Sequence, residues 1–227
     1  MKRNFATITL LFFMTASFSL VSAQAVRNAA EKGQDRNQIR NDQATIQRDK
    51  GEIAQFRGYT KGFKQAINAG NIQLAKGHQM KLVVAMEREV KQGNAKVNQS
   101  AREVGQSRNE VRNETKEIRK DKAQGRPVAA AGDRADRRDD VRDLRDDKGD
   151  LAERKARVQR QNTIATNFKG LVINTGSLGA IKAKLHLLDE FEQTMVRDMG
   201  ENYEELREDK GELREDRRET REDRNNR

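Results

Sequence analysis

His78 and His186 are the only imidazoles in this chain, and it has no cysteine. Imidazole chemistry would mean a metal site or a general base. Each histidine follows a glycine-containing break, Gly70 or Gly176, by a few residues, so the two could share an ion only if those breaks met. No carboxylate cluster of recognised ligand spacing accompanies either one, which leaves helix-surface histidines as the reading. Carboxylates are abundant, and Asp146, Asp147 and Asp150 come nearest to a calcium pattern. They stand among basic residues in a helical heptad, whereas a calcium loop wraps its oxygens around a glycine turn. No nucleophile elbow, phosphate-binding loop, dinucleotide fingerprint or zinc motif is present. The expectation is a protein with no catalytic residue, no metal and no cofactor.

Charge is the chemistry that remains. Arg207, Lys210, Arg214, Arg217, Arg221 and Arg224 step by three and four residues, and Glu205, Glu208, Glu212, Glu215, Glu219 and Glu222 do the same beside them. On a helix such steps fall on one face, giving a basic stripe and an acidic stripe. Neighbours within a stripe repel, the reverse of the opposite-charge pairs that support a solitary helix, so the stripes call for a second helix. The same two-faced pattern recurs in Arg138, Arg145, Lys148 and Lys155 opposite Asp139, Asp143, Asp146 and Asp150. An exposed ion pair contributes only about 0–1 kcal/mol, so these arrays are expected to choose partner and register more than to supply stability.

The elements that would carry the stripes are long helices. Ile67-Asn68-Ala69-Gly70-Asn71-Ile72 recurs as Ile173-Asn174-Thr175-Gly176-Ser177-Leu178, and Ile46 to Ile53 recurs in order as Leu144 to Leu151. Gly70 and Gly176 are read as helix stops in the left-handed region, and Asn71 and Ser177 as caps of the next helix. The expected helices run from Ala25 to Ala69, with a break considered near Gly58, then Asn71 to Lys122, Arg134 to Asn174, and Ser177 to Arg224. Apolar residues concentrate near the two turns: Phe56, Tyr59, Phe63, Ile67, Leu82, Val83 and Met86 at the first, Ile164, Phe168, Val172, Ile181, Leu188, Phe191, Met195 and Tyr203 at the second. Away from them the pattern thins to one apolar residue per heptad, as in Val90, Val97, Val104, Val111 and Ile118, next to a small-residue column of Gly93, Ser100 and Ser107. The fold class expected is all-α: tandem helical hairpins forming a short four-helix bundle with long charged coiled-coil-like arms. The domains expected are a signal peptide over 1–23, hairpin repeats over 24–124 and 134–224, a linker over 125–133 and a tail over 225–227.

Composition fits that picture. The chain is 34% hydrophobic and 36% charged, with one proline and no tryptophan, which suits solvated helices better than a compact enzyme. Lys2 and Arg3, the apolar run from Phe5 to Leu20 and Val21-Ser22-Ala23 read as an export signal cleaved near Ala23, with an uncleaved anchor as the alternative. No other stretch is apolar enough to span a membrane. The net charge of +10 is uneven: residues 24–132 carry 22 Lys and Arg against 12 Asp and Glu, and residues 133–227 carry 22 against 24.

This exported, basic, helical character resembles the periplasmic chaperones of the Skp and Spy/CpxP types, a resemblance of gross character that implies capture of unfolded clients in helical cradles. The Leu-Thr-x-x-Gln motif of the Spy/CpxP group is absent, so no residue is carried over. The function expected from sequence is an exported, periplasmic or extracellular, non-catalytic scaffold that self-associates, or binds a helical protein partner, through complementary stripes. A chaperone-like holdase is the alternative, as is binding of anionic polymers through the basic N-terminal half. Nucleic acid is disfavoured because acidic stripes flank the basic ones and the arms lack stacking aromatics.

Overall fold

The computed structural model describes the backbone of residues 5–225, and within it the side chains of residues 36–127, 131–211, 213–214 and 217–218. The chain is all-α: α1 (Phe5–Asn68), α2 (Ile72–Ala123), α3 (Pro127–Lys169), a 3-10 turn (Thr175–Ser177), α4 (Leu178–Lys182) and α5 (His186–Asn225). Among the described residues no helix is long and apolar enough to cross a membrane. The export segment 1–23 lies outside the residues whose side chains are described, as does the tail 225–227.

Local chemistry sets the helix ends. Gly70 takes φ +67, and the amides of Asn71 and Gly70 return to Ala66 O and Ile67 O at 2.9 and 3.2 Å. This is a Schellman stop, open to glycine because it lacks a Cβ. Asn71 then caps α2, its side-chain oxygen accepting from Leu74 N at 3.0 Å. The same backbone turn recurs at Gly125, also at φ +67, with Arg126 N on Asp121 O and Gly125 N on Lys122 O. Pro127 follows at the start of α3, where a missing N–H costs nothing. The repeat of the Gly70 turn is therefore at Gly125, and Gly176, the position expected from the hexapeptide, departs from it. α3 begins at Pro127, inside the expected 125–133 linker and ahead of Arg134. It stops at Lys169 rather than Asn174, with Gly170 as a right-handed cap. Asn174 then forms a reciprocal capping box with Ser177, which starts a helical turn ahead of the expected cap and leaves Gly176 in the 3-10 turn without positive φ. α1 runs unbroken through Gly58.

The chain divides into two compact units, residues 1–51 with 196–227, and residues 52–195. In the first, α1 and α5 pair: Asn202 Nδ2 donates to Asp49 Oδ2 at 2.6 Å and Lys50 Nζ lies 5.4 Å from the Tyr203 ring centre. Ile46, Leu206 and Leu213 are buried there, about one apolar residue per heptad.

In the second unit, α1, α2, α3 and α5, with the short α4, meet around an aromatic core at the turn end. Phe56 of α1 stacks on Phe191 of α5 with ring centres 5.3 Å apart, and Phe63 of α1 meets Phe168 of α3 edge-on at 5.1 Å. Ile67, Leu82, Met86, Ile164, Ile181 and Leu188 complete a fully buried cluster. Val172 and Tyr203, read from sequence as tip core, are exposed instead. Polar pairs ring the core: Lys64 with Asp189 and Arg57 with Glu192 join α1 to α5, both at 2.6 Å. Arg160 and Glu190 join α3 to α5, and Lys169 meets Glu87 of α2 at 2.7 Å. Beyond the core, α2 and α3 continue as an antiparallel arm to the Gly125 turn.

Candidate functional site

Two places in the second unit bring unusual side chains together. The first is a groove between α1 and α2. Leu82 and Met86, four residues apart, turn into the core, so Met80 and Val84, four apart but out of phase with them, face outward with Lys81 and Arg88. Met80 is 69% exposed and Val84 56%. With Ala85 of α2 and Tyr59 and Gln55 of α1 they line a groove of about 370 Å³. Its rim is basic. Lys81 Nζ sits 5.6 Å from the Tyr59 ring centre, a cation–π distance. Arg88 reaches Glu52 at 3.5 Å, while Gln92 donates to the same carboxylate at 3.3 Å. The helices approach closely here because Gly62 of α1 carries no side chain: a Cβ there would stand far inside van der Waals distance of the His78 ring. His78 thus packs on the α1 backbone, half-buried, and His186 is exposed with Nδ1 2.9 Å from Ala183 O. Neither belongs to a cluster of ligand spacing among the described residues.

The second place is the arm. Its register can be read from the contacts of the small-residue column. A Cβ on Gly93 would lie 2.6 Å from Val158 Cγ2 and 3.4 Å from Gln161 Oε1. One heptad further, Ser100 Oγ accepts from Arg154 Nη1 at 2.7 Å, and at the next Ser107 Oγ donates to Asp147 Oδ2 at 2.5 Å. Each seven-residue step along α2 is thus matched by a seven-residue step back along α3. The following layer in that register is Glu114 with Asp140, and the last Asp121 with Asp133. Val104, Ile118 and Val158 are buried between these polar layers.

Electrostatics differ sharply between the two ends. At the core end, the two-toothed bond from Arg160, 2.6 Å at Nη2, holds the Glu190 carboxyl below the usual carboxylate range against the opposing effect of burial. In the arm, burial pushes the Glu114 carboxyl up, and the charges of Glu117, Asp140, Asp133 and Asp136 push it further. Burial likewise raises Asp140, aided by Glu110, Asp143, Asp136 and Asp139. Oxygens of Glu114, Glu117 and Asp133 lie within 4.8 Å of one another. Glu114 and Asp133 are half-buried and Glu117 is exposed, so like charges are gathered here on facing helices.

The residues singled out from sequence are scattered. Gly70 and Asn71 form one turn, and Gly176 and Ser177 lie in the 3-10 segment. Arg207, Arg214 and Arg217 are exposed on α5, Lys210 is half-buried, and the side chains of Arg221 and Arg224 fall outside those described. Glu205 and Glu208 on the neighbouring stripe make polar contacts. The groove residues Met80 and Val84 are absent from the sequence-based candidates, although their phase against Leu82 and Met86 is the signal that marks them.

The chain matches no protein-family model, no curated protein and no solved structure.

Proposed function

We propose that this chain is an exported, non-catalytic helical interaction protein that holds an apolar, carboxylate-bearing segment of another polypeptide in the groove between α1 and α2. The observation that carries this reading is the exposure of Met80 and Val84, at 69% and 56%, on the wall of a groove with a basic rim. Solvent-facing methionine is adaptable and suits varied apolar partners. Lys81, which among the described residues has only the Tyr59 ring beside it, would favour a carboxylate flanking the apolar side chains, joined by Arg88 where it exchanges Glu52 for the incoming carboxylate. A holdase-like role follows more naturally than self-association through stripes, because the exposed apolar side chains of Met80 and Val84 call for an apolar partner, which a charged stripe does not supply.

The test uses two clients of opposite charge, reduced α-lactalbumin (acidic) and reduced lysozyme (basic), whose aggregation is followed by light scattering. The full chain at about equimolar ratio should suppress the acidic client's aggregation more strongly, and Met80→Ser with Val84→Asp should lose most of that effect while keeping its helical spectrum. Equal suppression by the variant, or equal action on both clients, contradicts the reading.

A second reading, association through the α5 stripe, is favoured by the exposure of Arg207, Arg214 and Arg217. It requires that Arg214→Glu with Arg217→Glu lower the mass seen by light scattering at low salt. The proposed export rests on the Lys2-to-Ala23 pattern, and intact mass of the secreted chain should place its first residue at Gln24.

A further inference from the structure

The α2–α3 arm carries a feature that the groove does not explain. Its seam places polar layers at heptad intervals, and the first three set no like charges together: Gly93 faces Gln161, Ser100 faces Arg154 and Ser107 faces Asp147. Carried one heptad further, the register brings Glu114 level with Asp140, both half-buried, with Glu117 and Asp133 oxygens within 4.8 Å of Glu114. The charges acting most strongly on them are negative. From α2 the layer is flanked by Glu110 and Glu117, and from α3 by Asp133, Asp136, Asp139 and Asp143. Three basic groups nearby are engaged elsewhere. Arg137 Nε donates to Thr115 Oγ1 at 3.0 Å, Arg142 pairs with Asp139, and Arg126 closes on Asp121 at 2.9 Å at the turn. Asp133 Oδ2 is buried with no hydrogen-bond partner among the described residues.

We propose that this layer makes the turn-proximal end of the α2–α3 hairpin a proton-operated joint, loosened when Glu114 and Asp140 are both ionised and closed when they share a proton. A protonated carboxyl can donate to its ionised neighbour, replacing repulsion by a short charge-assisted bond. The raised proton affinity of both groups supports the proposal and sets its direction: closure accompanies a fall in pH. The layers at Ser100 and Ser107 hold no such pair, so the joint is confined to the stretch around residues 108–145. The proposal is independent of what the groove binds.

With no native cysteine, spin labels can be placed cleanly on the full chain. Asn113→Cys with Arg138→Cys reports the acidic layer, and Ala101→Cys with Lys155→Cys reports the Ser100 layer. Distance distributions are compared at about pH 7.5 and about pH 5, with a chelator present throughout so that protons alone vary. The first pair should shorten and narrow on acidification, the second should hold, and adding Glu114→Gln with Asp140→Asn should give the narrow distribution at both pH values. An unchanged first pair, or an equal shift in the Gln/Asn variant, overturns the proposal. Should a labelled variant misfold, hydrogen exchange of residues 108–145 in unlabelled protein, corrected for the intrinsic pH dependence, tests the same joint. Protection there must rise on acidification in the parent and stay level in the Gln/Asn variant, and any other pattern overturns the proposal as well.

Discussion

The core end and the arm of the second unit share α2 and α3, yet they are held together by opposite means. At the core end Phe56, Phe63, Phe168 and Phe191 are essentially inaccessible, and ion pairs sit outside them where water screens both charges. Along the arm the order is inverted. Polar groups occupy the seam itself, at Ser100, Ser107, Glu114 and Asp121, and single valine or isoleucine layers alternate with them. Apolar burial is non-directional and strong, so it sets stability without dictating register. Polar layers contribute little net energy but are intolerant of mismatch, so they dictate register without much stability. The core end is thus an anchor and the arm a ruler.

Breaking the anchor should have the largest effect. Phe191→Ala removes one ring of the Phe56 stack from a fully buried site and should cost about 3–5 kcal/mol, read as a lowered denaturant midpoint of residues 52–195. A loss under about 1 kcal/mol would mean that the aromatic cluster does not hold these helices together.

A smaller, sharper contrast comes from two glycines on the same arm. Gly93→Ala drives a methyl against Val158 Cγ2, a branched side chain with little freedom to move. The clash should outweigh the gain of about 1 kcal/mol in helix propensity and leave a net loss of about 1 kcal/mol in thermal or denaturant unfolding. Gly149 has nothing within 4 Å of its added Cβ. Gly149→Ala should instead stabilise by about 0.5–1 kcal/mol. Gly51 and Gly211, which like Gly149 follow an Asp-Lys pair, are equally open.

Acidification should separate the regions by sign, with the smallest amplitude. Glu114 and Asp140 bind protons more tightly when folded, so their ionisation penalises the arm in full above the folded pKa and is relieved as pH falls through it. Glu190 binds its proton less tightly when folded, so its contribution is present above the ordinary carboxylate pKa and is lost only as pH falls through the lower folded value. Fluorescence of a probe on each region should show the arm tightening first and the core end weakening later. Simultaneous weakening of both would contradict the assignment of the acidic layer.

Much of this was legible in the sequence, for reasons that show where sequence stops. The all-α class, the α2 start at Asn71, the apolar residues at the turn end and the small column of Gly93, Ser100 and Ser107 follow from periodicity and capping chemistry, which are local. The second turn departs from expectation because Ile173 to Leu178 copies the composition of the Gly70 turn, whereas Asn174 and Ser177 satisfy each other's backbone first and pull the helix start forward. The true counterpart of the Gly70 turn, at Gly125, hides in a stretch whose glycines and proline read as a linker, because Pro127 breaks a helix interior yet favours a helix start. The acidic layer is hidden for another reason. Heptad spacing names the column containing Glu114 and the column containing Asp140, but only the partner's register places them together.

The division into anchor and ruler is tested most directly by hydrogen exchange of the full chain at neutral pH, resolved by peptide. Amides of residues 56–68, 79–92 and 161–168 should exchange slowest, and those of 108–122 and 128–145 fastest among the helical amides of α2 and α3, by at least about a hundredfold. Uniform protection along α2 and α3, or an arm slower to exchange than the aromatic end, would contradict it.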